Sequence, residues 1–506
     1  MRDAVHLWGK TTTETTRLVE REIGDPDVHM ACIGPAGENL IRFASVISEN
    51  RAAGRSGMGA VLGSKKLKGI VARGRKGVKV ASPEALERLS REQYEHWKKS
   101  PKDLKIRHEV GWSNALKRLY NEFGIIATKN YREGTFEEYE SISERRLKEY
   151  FLSPRSCFSC PVGSNLLFIV SEGPYAGTFG EDLLAPAMQY TARIGNSDLD
   201  FMFKLGALSD QYGIDVMNMG SVFGYVMECF EAGILTPNDL NGLRMEWGNT
   251  KGTMELMEMV VYRRGIGDLL AEGATRASEV IGKESKKYVM EVKGMSIDSR
   301  DPRGSKGWGL GYAVSARGAD HCRHIMPEFL LEGFREPEWM KEIFKGFRGL
   351  DRLSEEGKGE MLKWYEDVRA FQNSLEICLW ELKSSVVWSE VLAEMYNAVT
   401  GLNIRAKDVN IAGERITNLE RAFNVREGLT RRDDTLPERF LKEPTRSGTS
   451  KGQVVKLGAM IDEYYECRGW DKESGFPSKE KLEELDLKDI ADDLEKMGRL
   501  GKSKKG

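Results

Sequence analysis

Apolar residues recur at helical spacing through most of the chain beyond residue 82. This spacing of three and four residues is typical of amphipathic helices, and it is clearest in 198–213, 220–233, 253–264 and 411–424. Ser82-Pro83-Glu84 marks the predicted start of this part. A capping hydroxyl there precedes a proline at the first helical position and an early acid.

The first 72 residues show a different, mixed α/β pattern. A turn at residue 25 feeds a short strand that ends near Ile33, glycine-rich loops follow, and 67–72 is predicted as a closing strand. We therefore predict an α+β fold: a small mixed β-sheet part over 1–78, then a large, mainly helical body of two lobes over 82–495. Exposed loops are expected at 300–311 and 431–452, and 496–506 is expected to be a disordered basic tail.

Composition narrows the range of functions. The chain has 506 residues, of which 30% are charged, yet its net charge is only -2. That balance argues against a nucleic-acid-binding or membrane-binding surface. No apolar run is long enough to span a bilayer, and the N-terminus does not resemble a signal peptide. Seven cysteines are few and odd in number, which makes a disulfide framework unexpected and favours the cytoplasm.

Cys157-Phe-Ser-Cys160 is the first candidate for metal chemistry. Two thiolates at this spacing can hold one metal ion or two corners of an iron–sulfur cluster. Zinc, a redox pair or chance are equally compatible with a single CxxC pair, and a [4Fe–4S] cluster usually takes four thiolates.

Asp210-Gln-Tyr-Gly213-Ile214-Asp215 reads as the end of a helix. Gly213 can adopt a positive φ there. Asp215 is then expected to be free to accept paired hydrogen bonds from a planar N–H edge such as that of a pterin. The simpler alternative is an ordinary cap with solvated acids.

Two further segments are rich in glycine. In 34–39 and 51–65, closely spaced glycines accompany Arg51 and Arg55; this favours anion binding, with tight backbone packing as the alternative. In 301–321, glycines alternate with charged residues as in a loop around a polar ligand. His321 there is a candidate proton shuttle, although a His beside an Asp is more often structural.

Together these elements resemble the aldehyde ferredoxin oxidoreductase family over residues 1 to about 495. The resemblance is carried, in order, by RDAVHLWGK, IGPAGENLIRFA, RAAGRSGMGAVLGSKKLKGI, the CxxC turn, DQYGID, DPRG, RGADH, NLERAFNVREGLTRRDDTLPER and EYYECRGWD. The family has tungsten held by two pterins, magnesium bridging their phosphates, and a [4Fe–4S] cluster.

The resemblance implies roles for particular residues. His321 corresponds to the family's catalytic histidine, and Glu181 is the nearest match to its catalytic glutamate. The implied cofactor-binding residues are Arg51, Ala52, Arg55, Asp210, Gly213, Ile214, Asp215, Arg317, Asn373 and Ile377. The implied metal ligands are Cys157, Cys160, Ser164 and Cys378. We expect Cys157, Cys160 and Cys378 to converge, and the pterin segments to line one cavity.

Several positions depart from the family pattern. Ser164 stands where the cluster turn has a third cysteine, and a serine alkoxide binds iron less readily than a thiolate. The resemblance makes Asp210–Asp215 the first pterin signature and Asn373–Cys378 the second. The second has Asn373 for its usual aspartate and Glu376 for its usual glycine. The chain also begins inside the family's first domain.

The resemblance implies a tungsten-pterin oxidoreductase that converts aldehydes to carboxylic acids with ferredoxin as electron acceptor. A homodimer, or a separately encoded N-terminal segment, is the expected assembly. The alternatives are a non-catalytic partner subunit and a reductase on the same scaffold that acts on a thioester or an aromatic acid.

Overall fold

A computed structural model describes residues 1–49, 51–98, 105, 108–111, 113, 116–158, 160, 162–182, 184–324, 348–378 and 389–502. The chain divides into two compact units. The first unit comprises 1–76, 105–301 and 446–451, and the second comprises 77–104, 302–445 and 452–506.

Three antiparallel sheets lie in the first unit. The N-terminal sheet has the order β3-β2-β1-β4 and is built from β1 (His29–Cys32), β2 (Val46–Ser48), β3 (Arg51–Ala53) and β4 (Gly69–Ala72). The second sheet contains β5 (Phe151–Arg155), β6 (Asn165–Ile169) and β7 (Phe179–Asp182) in that order. A short hairpin joins β8 (Glu291–Val292) to β9 (Met295–Ser296). The predicted N-terminal sheet and its closing strand are therefore present, with antiparallel pairing throughout.

Helices make up most of the described residues. Those of the first unit are Thr12–Ile23, Pro35–Glu38, Met58–Ser64, Glu144–Leu147, Leu184–Gln189, Leu199–Tyr212, Val216–Glu231, Thr250–Val261, Ile266–Leu270 and Ala274–Ile281, with a π-helix at Leu116–Glu122. Those of the second unit are Pro83–Lys98, Lys306–Val314, Lys358–Ser374, Ser389–Thr400, Ala406–Arg426, Glu438–Lys442, Leu457–Arg468, Lys479–Glu484 and Lys488–Lys496. The predicted α+β fold is confirmed.

Helix Leu199–Tyr212 shows how local sequence sets the boundaries. Asp198 caps its N-terminus by accepting a hydrogen bond from the Phe201 amide, and Gly213 ends it in the left-handed conformation. The following helix, Val216–Glu231, is buried along nearly its whole length. Both helices contribute buried residues to the core of the first unit.

The prediction of an exposed loop over 300–311 is wrong. All twelve of these residues are buried, and Lys306–Val314 is a helix. The glycines that suggested a loop permit close packing: a Cβ on Gly311 would lie 2.3 Å from the His324 ring. The predicted loop at 431–452 also contains a short helix, Glu438–Lys442.

In the second unit, helices Lys358–Ser374 and Ala406–Arg426 cross at a glycine. A Cβ on Gly413 would lie only 1.8 Å from the Asp367 carbonyl oxygen, so the backbones meet where a side chain is absent. A buried ion pair joins Arg468 to Glu366 at 2.9 Å nearby. Among the described residues, no helix is both long enough and apolar enough to cross a membrane.

Candidate functional site

The segment Gly213–Asp215 is fixed against the strand-like segment Phe43–Ser45. The Ser45 amide donates to the Gly213 carbonyl at 2.8 Å, and the Asp215 amide donates to the Phe43 carbonyl at 3.0 Å. Ala44 and Ile214 form the antiparallel bridge between these bonds. The backbone before β3, the strand that contains Arg51, is therefore hydrogen-bonded to the end of the Asp210–Asp215 segment.

Asp215 does not extend into an open site as the sequence suggested. It is 5% exposed and caps helix Val216–Glu231 by accepting from the amides of Met217 and Asn218 at 3.1 and 3.2 Å. The Arg55 Nε also lies 3.7 Å from its carboxylate. The prediction of a carboxylate free for a ligand was therefore wrong, because the next helix and an arginine use its oxygens.

Arg55 is held on its other side by the hairpin β8–β9. Its Nη2 donates to the Ser296 hydroxyl at 2.9 Å and lies 3.4 Å from Asn218 Oδ1. The side chain is 9% exposed. Arg55 consequently joins the glycine-rich segment to the cap of helix Val216–Glu231.

Arg51 lies at the centre of a second group of charges. Its Nη1 donates to Glu181 Oε2 at 2.7 Å, and Arg155 Nε lies 3.4 Å from the other Glu181 oxygen. Burial opposes the charge on Arg51, but the Glu181 carboxylate and the Cys157 thiol together raise the pKa of Arg51. Glu181, the candidate catalytic glutamate, is thus a 5% exposed carboxylate between two arginines.

Asp210 is a buried carboxyl group with a raised pKa. Burial, followed by the neighbouring Glu181 carboxylate, raises the pKa of Asp210 to about 7, although Arg51 acts in the opposite direction. This carboxyl group can therefore gain or lose a proton near neutral pH. The solvated acid of the simpler alternative does not describe it.

The Cys157–Cys160 segment is a tight turn. The Cys160 amide donates to the Cys157 carbonyl at 3.0 Å, and the Val162 amide donates to the Cys160 sulfur at 3.5 Å. Cys157 is exposed, while Cys160 is half-buried. Ser164 is half-buried and directly precedes β6. Amide bonding to sulfur and accessible thiols suit a metal ligand.

The second predicted signature ends its helix as the first does. The Glu376 amide donates to the Asn373 carbonyl at 3.1 Å and the Ile377 amide to the Gln372 carbonyl at 3.4 Å. Gly213 and Ile214 make the corresponding bonds, at 3.1 and 2.9 Å. Glu376 has a φ of 57°, a left-handed conformation that favours glycine.

His321 has one neighbour that sequence reasoning missed. Its Nε2 lies 3.5 Å from Cys322 Sγ. Ligand atoms of Asp320, His321 and Cys322 all lie within 4.8 Å of one another, a spacing suited to a metal ion. Asp320 is fully buried and accepts from Arg317 Nε at 2.5 Å. The adjacent Asp-His-Cys sequence was the available signal.

Arg317 and Asn373 share a cavity of about 530 Å³ in the second unit. Arg323 and Glu420, which form an ion pair, line it with the apolar side chains of Leu419 and Phe423. Two of the predicted cofactor-binding residues therefore meet within this unit.

Cys378 lies at the exposed end of the second signature. The Gln372 side-chain amide donates to its carbonyl at 2.8 Å. Burial lowers the pKa of Arg369, while the nearby Cys322 and Cys378 thiols act against that change. Both thiols are thus close to one arginine. Cys157 and Cys160 belong to the first unit and Cys378 to the second, so their convergence stays a prediction.

The glycines of the N-terminal part serve backbone packing. A Cβ on Gly34 would lie 2.5 Å from the Tyr212 carbonyl oxygen, and one on Gly63 would lie 1.9 Å from that of Gly37. Gly57 has a φ of 69° at the start of helix Met58–Ser64. Ala52 is exposed in β3, opposite Ile47.

Comparison with known families matches nearly the whole chain. Residues 1–74 match the N-terminal domain of aldehyde ferredoxin oxidoreductase, and residues 88–487 match domains 2 and 3 of that protein. Both matches follow the order of the family's domains.

Individual relatives agree with these matches. A tungsten-containing aldehyde ferredoxin oxidoreductase of Thermococcus kodakarensis is 35% identical over 96% of this chain and 78% of its own length. The WOR-like subunit of an aliphatic sulfonate oxidoreductase of Pyrococcus furiosus is 31% identical, over 96% of this chain and 76% of its own. The fold is shared with the active-site complex BamBC of benzoyl coenzyme A reductase. The TM-score is 0.81 at 24% identity, covering 99% of this chain and 80% of that one.

Proposed function

The chain belongs to the aldehyde ferredoxin oxidoreductase family, and we propose that it is a tungsten-pterin enzyme oxidising aldehydes to carboxylic acids with ferredoxin as electron acceptor. The observation that carries the proposal is that Arg51, Glu181 and Cys157 lie together in the first unit. They come from three separate segments, which were predicted to bind the cofactor, to act in catalysis and to hold the metal cluster.

The donor set of the first unit fits the anionic part of such a cofactor. The charge of Arg51 acts on Asp210, Ala52 is exposed in β3, and Arg55 is fixed by Asp215 and Ser296. Arginines held this way are preorganised for phosphate. Arg51, Ala52 and Arg55 would hold the phosphates and magnesium, and Arg317, Asn373 and Ile377 would hold the second pterin.

The thiols fit an iron–sulfur cluster. Cys157 and Cys160 lie on a turn, the Cys160 sulfur accepts an amide hydrogen bond, and the Cys157 thiol interacts with Arg51. Cys157, Cys160 and Cys378 would supply three thiolates, with Ser164 as the fourth ligand.

When bound, the tungsten centre would accept two electrons and the cluster would pass them on singly. Oxidising an aldehyde to its acid consumes one water and releases two protons with the two electrons. His321, which is half-buried beside Cys322, would take one proton. Glu181 would accept the second proton. Asp210, with a pKa of about 7, would serve as a further proton acceptor.

The test is anaerobic purification of the full chain, followed by tungsten, molybdenum and iron analysis and an aldehyde-dependent viologen-reduction assay. We expect bound tungsten and about four irons per chain. We also expect aldehyde-dependent reduction of the viologen, and continued activity when ferredoxin replaces the viologen as electron acceptor. Bound tungsten with activity only on a thioester or an aromatic acid would contradict the aldehyde assignment. A folded chain without tungsten or iron, even after supply of both metals during expression, would indicate the partner-subunit alternative.

A further inference from the structure

A cleft of about 490 Å³ in the first unit has no part in the proposed reaction. Helices Thr12–Ile23 and Leu199–Tyr212 form two of its walls, and the loop that leads into β7 forms the third. The lining residues that matter here are Thr13, Arg17, Gly177, Phe179, Lys204 and Gln211. This volume is in the usual range for a small-molecule site.

The cleft is positively charged. Arg17 and Lys204 line it, and none of the described residues lining it is acidic. The chain as a whole carries 76 basic and 78 acidic residues, and ion pairs engage most arginines near the candidate site. Two cations without a carboxylate therefore distinguish this cleft and favour an anionic ligand.

Polar side chains converge on the cleft from both helices. Thr13 and Arg17 are four residues apart, and Lys204 and Gln211 seven, so each pair shares one helix face. Within the described part of the chain, these four side chains make no hydrogen bond or ion pair, although Lys204 and Gln211 are half-buried. They offer a guanidinium, an ammonium, a hydroxyl and an amide to one bound molecule.

An aromatic surface completes the cleft. The Phe179 side chain is 53% exposed at its wall, and a planar ring can stack on such a face. The Thr178 hydroxyl donates to the Tyr175 carbonyl at 2.7 Å, which shapes the loop. Gly177 has a φ of 82°, and the space that a Cβ would occupy there is open, which leaves room for a ligand.

We propose that this cleft binds a nucleotide, with its phosphate on Arg17 and Lys204 and its base against Phe179. Guanidinium and ammonium groups are the usual partners of phosphate, and the exposed ring supplies the stacking face. Gln211 directly follows Asp210, so the bound nucleotide would lie beside the end of the helix that carries the first signature.

The experiment is equilibrium binding of AMP, ADP and ATP to the full chain, with inorganic phosphate and adenosine as partial ligands. It requires neither metal nor aldehyde, so its result is independent of the proposed enzymatic activity. We expect saturable nucleotide binding that weakens with salt. Arg17→Gln and Lys204→Gln should each weaken it about tenfold.

Arg21→Gln is the matched control, because Arg21 is exposed one turn further along the same helix and does not line the cleft. Its affinity should equal that of the unaltered chain. Phe179→Ala should weaken AMP binding but leave phosphate binding unchanged. Circular dichroism and thermal unfolding verify that each variant folds.

Two results would overturn the proposal. One is the absence of saturable nucleotide binding at millimolar concentration, and the other is unchanged affinity in the folded Arg17→Gln/Lys204→Gln double variant. Equal affinity for phosphate and AMP, with no effect of Phe179→Ala, would remove the nucleotide assignment.

Discussion

Gly213 and Glu376 end their helices in the same left-handed conformation, with φ of 68° and 57°. Their amides donate to the carbonyls of Asp210 and Asn373, each at 3.1 Å. Gly213 adopts this conformation without strain, whereas the Cβ of Glu376 makes the same conformation unfavourable. The two signatures therefore share backbone geometry although their sequences differ.

Glu376→Gly should stabilise the chain. The exposed Glu376 side chain makes no hydrogen bond or ion pair with any described residue, so glycine removes strain without removing a contact. The gain in unfolding free energy should be roughly 0.5–1 kcal/mol, measured by denaturant unfolding.

The control for that substitution is Glu376→Ala, which keeps a Cβ and should give no comparable gain. Gly213→Ala should instead destabilise by at least about 1 kcal/mol, because its Cβ would also lie 3.0 Å from the Gly34 amide nitrogen. A gain from Glu376→Ala equal to that of Glu376→Gly would show that backbone strain is not the cause.

Asp210 should make the stability of the metal-free protein depend on pH. Burial and Glu181 raise its pKa from near 4 to about 7, so between these values the folded protein retains a proton that the unfolded chain has lost. Stability should accordingly fall as pH rises from 4 to 7, by up to about 1.4 kcal/mol per pH unit.

Asp210→Asn should remove this contribution, so its melting temperature should fall less from pH 4 to pH 7 than that of the unaltered chain. Asp489→Asn, which removes an exposed carboxylate from the second unit, is the control. Parallel melting profiles for the unaltered chain and Asp210→Asn would show that Asp210 titrates normally.

Ser164→Cys should raise the iron content of anaerobically purified protein. Thiolate is a softer ligand than alkoxide and holds iron more firmly. Ser90→Cys, which adds an exposed thiol on helix Pro83–Lys98 of the second unit, should leave iron unchanged. Equal iron content in Ser164→Cys and the unaltered chain would count against position 164 as a ligand.

His321→Ala should abolish aldehyde oxidation and leave tungsten content intact. General acid–base groups contribute about a hundredfold or more to rate, whereas this histidine is not assigned to cofactor retention. His29→Ala is the control, because His29 is exposed and pairs only with Glu49 among the described residues. Loss of tungsten in proportion to activity would instead make His321 a cofactor-retaining residue.

Local features of the structure were predictable from the sequence. The helix that ends at Gly213, the start at Ser82-Pro83 and the strand Gly69–Ala72 all follow from residues a few positions apart. The prediction for 300–311 was wrong because its glycines were taken to form a loop, whereas Gly311 allows close packing against His324. The meaning of a glycine depends on what packs against it.

The sequence by itself determined the family, the order of the elements and the helix ends, because capping and periodicity act over a few neighbouring residues. The tertiary structure decided what each charged group does. Glu181 is paired with Arg51, 130 residues away, and Asp210 acquires its raised pKa from burial beside that pair. Pairing and desolvation act through space, so residues distant in sequence set them and no local pattern records them.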